Sequence, residues 1–283
     1  MMINYIVITI ILCLFFSICF RFYLVFHKEV EIKVEKEIGM GQTTGTKEIQ
    51  ADEVQVVETS AGVLAVLADG IGKQNTGRVS AQIAIDTILD KYEPYEVLHK
   101  EDYFFKTAFL EANKRIQATI GERRGGASVG VMFTHGTHLS YAVAGNIRIA
   151  LVRNKELIPL NKGQTLNVLA IDAWKEGKIT KRETLWSLEE DRVWNYVGMD
   201  GFKEIELCSP KICLKDNDIV VMASKGIFEE VSWREMEDIL IKHDTVQELA
   251  DKLIELAEKK ESLDKENGSV IVWKIRMVKY EKD

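Results

Sequence analysis

Apolar and polar residues alternate along EVEIKVEKEI, residues 29–38. A period of two marks a strand with one face in water. VQVVET and GVLAVLAD follow as further strands. The pattern then changes to a helical period over residues 77–92 and 101–120. β patterning returns in ASVGVMFT, HLSYAVAG, IRIALVR and ELIPL, with turns expected at Gly136-Thr137 and Asn154-Lys155. Residues 163–200 read as short helices and loops holding Trp174, Trp186 and Trp194, which are expected as local core anchors. DIVVMASKG, residues 218–226, reads as a strand, helices follow over 232–243 and 245–260, and SVIVWKIRMV ends the pattern as a strand. Strands in hairpin-linked blocks separated by helix pairs predict an α+β fold of antiparallel sheets covered by helices, not a βαβ parallel sheet.

One segment breaks this alternation. INYIVITIILCLFFSICF, residues 3–20, carries no charge. Eighteen apolar residues are enough to span a bilayer as a helix. The run is too long for a signal peptide and has no small-x-small cleavage site after it, so residues 1–28 are expected to be an uncleaved transmembrane anchor. Arg21, Lys28, Lys33 and Lys36 all follow the run, which places the remaining domain, 29–283, in the cytoplasm. Without the anchor the chain holds 35 basic and 44 acidic residues, a net charge of −9. An acidic domain with no basic run offers little to nucleic acid. Of the four cysteines, Cys13 and Cys19 fall in the anchor, while Cys208 and Cys213 flank a proline without metal-like partners and are expected as reduced packing residues.

Candidate chemistry centres on LADGIGK, where an apolar strand delivers Asp69 into a glycine turn. A carboxylate at a strand end, followed by a sterically free carbonyl at Gly70, suits a hard cation. Standing alone it equally suits a plain Asp-Gly turn. A phosphate loop fits less well, because GIGKQNTG lacks the Walker spacing.

The order of motifs decides more than any one of them. TGTKEIQADEV, LADGIGK, GASVGVMF, AGNIRIALVRNKEL, ASKGIFEEVS and ENGSVIVWKI follow one another over residues 40–275. Together they resemble the metal-dependent protein phosphatases of type 2C, the PPM family. That resemblance implies a four-layer αββα sandwich of two antiparallel sheets with a flap at about 163–200. It also implies hydrolysis of phosphoserine or phosphothreonine by water activated at a two-metal centre of Mn2+ or Mg2+.

Matched residue by residue, the resemblance makes Asp69, Gly70 and Glu266 the metal-ligand candidates. Asp52, Lys47 and Arg148 join Asp69 as catalytic candidates, Lys47 standing where the family has its phosphate-binding arginine. Ala51, Asn146 and Lys225 occupy three positions where the family has acids, and Lys73 replaces a glycine. An ammonium at a ligand position repels a second cation, so at most one ion is expected, or none. Lys225 is expected to sit within about 4 Å of the Asp69 or Glu266 carboxylate, taking the place of the lost cation. Three readings follow: a membrane-anchored phosphatase-like domain with weak or no catalysis that recognises a protein or phosphoprotein partner; an active phosphatase working with one ion; and a structural subunit of a membrane assembly.

Overall fold

The structure is a computed structural model and describes residues 9–10, 12–18, 20–21, 30–73, 75–188, 191–202, 204–242 and 244–281. Most of the expected anchor lies outside these residues. The described part between 9 and 21 is helical, with Phe15 and Phe16 exposed. No helix among the described residues is long and apolar enough to cross a membrane. Lys36–Arg276 forms one compact unit, and Met1–Glu35 with Met277–Asp283 groups as another.

The larger unit is built on two antiparallel sheets. One runs β2 (Glu53–Thr59), β3 (Gly62–Gly72), β4 (Gly125–His135), β5 (His138–Ala144), β8 (Glu206–Leu207), with β9 (Ile212–Cys213) also on β5. The other runs β1 (Val30–Thr43), β11 (Gly268–Glu281), β10 (Ile219–Ala223), β6 (Arg148–Arg153), β7 (Glu156–Pro159). Helices α1 (Thr76–Asp90) and α2 (Pro94–Ile120) share a core with the first sheet, where Leu64, Val66 and Ala68 meet Ile85, Phe105 and Phe109. Helices α6 (Trp233–Leu240) and α7 (Val246–Lys259) share a core with the second, where Val221, Val270 and Val272 meet Leu240, Leu249 and Leu253. Three shorter helices complete the chain: α3 (Leu166–Lys175), α4 (Lys181–Ser187) and α5 (Lys225–Glu230).

The two-residue period of each strand fixes what lies between the sheets. On β3 the even positions 64, 66 and 68 face the helices. Val63, Ala65, Leu67 and Asp69 therefore face the other sheet. On β10 the helix-facing set is Ile219, Val221 and Ala223, which turns Val220, Met222 and Ser224 inward. Gly130 of β4 confirms the facing arrangement: a Cβ there would lie 2.7 Å from Met222 Sδ. Asp69 and Ser224 thus reach the same end of the inter-sheet space.

Three local expectations need correction. Residues 218–226 are not one strand. β10 stops at Ala223, Ser224 takes the N-cap position, and Lys225 begins α5. Gly226 permits the change of direction, because a Cβ would lie 2.2 Å from the Asn267 carbonyl oxygen. The second helix starts earlier than expected, at Pro94, and bends at Lys100, where φ is −142° and ψ 47°. Proline at a helix start has no donor to waste. Finally, Trp174 and Trp186 are exposed, Trp186 by 70%. α4 buries only Thr184, so there is no core beneath it for an indole to enter. Arg182 stacks on the Trp186 ring instead, 5.0 Å from its centroid. Cys208 is buried as expected of a packing residue, whereas Cys213 is exposed.

Candidate functional site

Asp52 lies at the floor of the site. It is 3% exposed and precedes β2. Its Oδ2 accepts a hydrogen bond from Ser224 Oγ at 2.8 Å, and Ser224 Oγ in turn accepts from the Ser269 backbone N–H at 2.8 Å. Asp52 Oδ1 is buried without a hydrogen-bond partner. Burial, only partly offset by the serine hydroxyls, pushes the Asp52 carboxyl up to about 6.

Asp69 sits above it at the cleft end of β3. It keeps some contact with solvent through the cleft, yet protein surrounds it on nearly all sides. That burial, followed by the neighbouring Asp52 charge, holds its carboxyl well above the usual carboxylate range. The Lys225 backbone N–H opposes the shift. Two acids in one low-dielectric spot cannot both ionise freely. A proton or a cation has to sit with them. Gly70 is required by space: a Cβ would lie 2.4 Å from the Gly77 carbonyl oxygen and 2.5 Å from that of Ala51. Three backbones cross here, which anchors the turn that presents Asp69.

The cleft above has a volume of about 560 Å3, and its walls include Asp69, Gly70, Asn146, Lys225 and Glu266. The structure therefore brings five of the expected positions into one cavity. Asn146 is buried, its N–H donated to Ser128 Oγ and its Oδ1 left without a partner. Lys47 is not in the wall. It reaches the rim, where its ammonium pairs with Asp264 at 2.6 Å and with Glu266 at 3.3 Å. Arg148 is not part of the cleft wall; its guanidinium stacks 5.3 Å over the Phe228 ring.

Lys225 corrects the sequence expectation. Its ammonium pairs with Asp191 at 3.1 Å and with Glu229 at 3.2 Å, not with Asp69 or Glu266. The helix explains the direction. With Lys225 at the first position of α5, Glu229 stands four residues on, one turn along the same face. Asp191 arrives from the flap, and Asp69 receives the lysine's backbone N–H directly while feeling its charge without an ion pair.

The flap supplies the residues that sequence reasoning missed: Asp191, Arg192, Val193 and Tyr196 all line the cleft. They are held there by backbone bridges, Thr165 with Val193 and Ala127 with Val197. The Leu166 N–H also donates to the Arg192 carbonyl at 3.0 Å. Arg192 is a cationic residue of the wall that the resemblance had not offered.

The donor set decides what metal the site suits. Among the described residues no three His, Cys, Asp or Glu side chains form a metal-holding group. Glu266 is engaged by Lys47, and Lys225 and Asn146 bring no negative charge. What remains is Asp69, the unpartnered Asp52 Oδ1 and the Gly70 backbone. These oxygens suit a hard cation such as Mn2+ or Mg2+.

No protein-family model matches the chain. The protein phosphatase PhpP of Streptococcus pneumoniae is 22% identical over 245 residues, covering 83% of this chain and 94% of the relative. The structure of the Streptococcus agalactiae serine/threonine phosphatase superposes with a TM-score of 0.74 at 20% identity, covering 84% of this chain and 99% of that one. The catalytic domain of the serine/threonine phosphatase PstP, solved with 2 manganese ions, superposes with a TM-score of 0.65 at 22% identity, covering 86% and 100%. The sheet order, the cleft at the strand ends and these likenesses agree, and the chain folds as a PPM-type phosphatase domain.

Proposed function

We propose that this PPM-type domain recognises a phosphoserine- or phosphothreonine-bearing protein and hydrolyses it weakly or not at all. The observation that carries the reading is Lys225, an ammonium in the cleft wall held by Asp191 and Glu229. A fixed positive charge beside Asp69 attracts a phosphoryl group and disfavours a second metal ion. Arg192, another residue of the wall, adds positive charge. Asp69 and Asp52 would hold Mn2+ or Mg2+, which when bound makes water a better nucleophile. The remaining residues bind and orient.

The charge-free run of residues 3–20 supports a single membrane anchor, and the cations that follow it support a cytoplasmic domain. Extraction of membranes at alkaline pH tests the anchor. Release of the full chain into the supernatant would contradict it.

A second reading, a working one-ion phosphatase, is favoured by the unpartnered Asp52 Oδ1 beside Asp69. Manganese-dependent hydrolysis of p-nitrophenyl phosphate separates the two, with Asp69→Asn as control. The regulatory reading expects turnover by the wild type at or barely above the Asp69→Asn background, together with retention of a phosphothreonine peptide over its unphosphorylated form. Turnover by the wild type that Asp69→Asn abolishes supports the second reading instead.

A further inference from the structure

A second concave site lies at the opposite end of the α6/α7-covered sheet. β10 runs from Ala223 beside the cleft to Ile219 at this far end. Four residue steps at about 3.3 Å each separate the two ends by roughly 13 Å. The cavity here has a volume of about 320 Å3 and is lined by Lys155, Lys215, Lys242 and Lys274. Each comes from a different piece of chain: the β6–β7 turn, the loop before β10, the residue after the last turn of α6, and β11.

None of the four ammonium groups makes an ion pair or hydrogen bond with a described residue. Four lysines that pair with no described residue thus line one hollow of a chain whose net charge is −7. Isolated lysines extend into water singly. The one arginine in the wall is spent, since Arg153 holds the buried Asp218 at 2.6 Å through one nitrogen and 3.2 Å through another. With Asp216 on the rim, the wall carries five cations and two carboxylates, a net of +3.

We propose that this hollow binds an oligophosphate, a compact anion carrying several linked or clustered phosphates. Its charge rather than its shape is what the site reads. Lysines are mobile point charges, and no free guanidinium fork is present to favour one planar oxoanion. A single phosphate cannot engage four ammoniums on four separate segments, whereas a chain of phosphates can. The wall has no aromatic side chain on which a base would stack, so a nucleoside adds nothing to recognition. The same clustered phosphates can come from a soluble anion or from a phosphorylated lipid headgroup.

The test is calorimetric titration of the full chain in metal-free buffer at near-physiological salt, with tripolyphosphate and orthophosphate as probes. The comparison proteins are Lys215→Gln/Lys274→Gln, Lys155→Gln/Lys242→Gln, and the charge-matched control Lys106→Gln/Lys114→Gln on α2. Thermal unfolding without ligand checks that each is folded. Saturable tripolyphosphate binding, stronger than orthophosphate binding, is expected. It should weaken roughly tenfold or more in either site variant and not in the control. A parallel arm uses vesicles bearing a bisphosphorylated inositol lipid. Capture that tripolyphosphate reverses assigns the lipid as a source of the same ligand chemistry and supports the site. No saturable binding, equal loss in the control, or vesicle capture that tripolyphosphate leaves intact would overturn the proposal.

Discussion

The Lys225 ammonium lies 3.1 Å from the Asp191 carboxylate, tying the first turn of α5 to the flap across the mouth of the cleft. Glu229 shares the lysine at 3.2 Å. The side chains of Lys225 and Asp191 are 28% and 51% exposed. Water screens such a pair, and its contribution to global stability is about 1 kcal/mol or less. Its effect is local, on where the flap rests.

Replacing Asp191 with Asn should therefore loosen the flap without unfolding the domain. Amide exchange is expected to accelerate over residues 191–197, with thermal unfolding shifted by no more than a few degrees. Exchange there unchanged from wild type would show that the backbone bridges at Val193 and Val197 hold the segment by themselves.

A larger loss is expected from Asp218→Ala. Asp218 is 3% exposed, receives two Arg153 donors and also accepts the Lys215 backbone N–H at 2.7 Å. Its removal leaves the Arg153 guanidinium, 21% exposed, with the Cys213 carbonyl at 2.9 Å as its remaining partner, and costs about 1–3 kcal/mol. Denaturant unfolding of the variant measures it, and a change within about 0.5 kcal/mol would contradict the assignment.

The acid end of the pH scale should report on Glu235. It closes the Ser232 capping box of α6 and pairs with Lys260 at 2.6 Å. Lys260, then the Ser232 donors, hold its carboxyl at about 2. A depressed value means this contribution is fully present above the ordinary glutamate value of 4.5. It fades below that and is lost as pH falls through about 2. Resonance-resolved titration of Glu235 should show the low midpoint, and Lys260→Ala should raise it. An ordinary glutamate midpoint in the wild type would contradict the geometry.

The path to this site shows which parts of it a sequence carries. The resemblance carried by the order of motifs implies that Asp69, Lys225 and Glu266 share one cleft, and the structure places Gly70 and Asn146 there with them. The direction of the Lys225 side chain was not legible for two reasons. A strand over 218–226 absorbs Lys225 and Gly226, which hides the helix start that makes Glu229 the i+4 partner. The available signal was Ser224 as a cap before a turn of KGIFEE. The other partner, Asp191, is distant in sequence, and only the pairing of the flap with Gln164, Thr165 and Ala127 brings it in. Trp174 and Trp186 are exposed against expectation for a related reason. An indole suggests a core, but only the assembled fold shows whether a short helix has one beneath it. The apolar N-terminal run was legible as a pattern, and most of it lies outside the described residues.

The central claim is that this cleft has donors for one cation, centred on Asp69 and Asp52, and that Lys225 disfavours a second. Calorimetric titration of manganese into the wild type, Asp69→Asn and Lys225→Asp tests it most directly. The account expects at most one ion in the wild type, none in Asp69→Asn, and tighter or additional binding in Lys225→Asp. Two ions bound tightly by the wild type, with Lys225→Asp indistinguishable from it, would contradict the account.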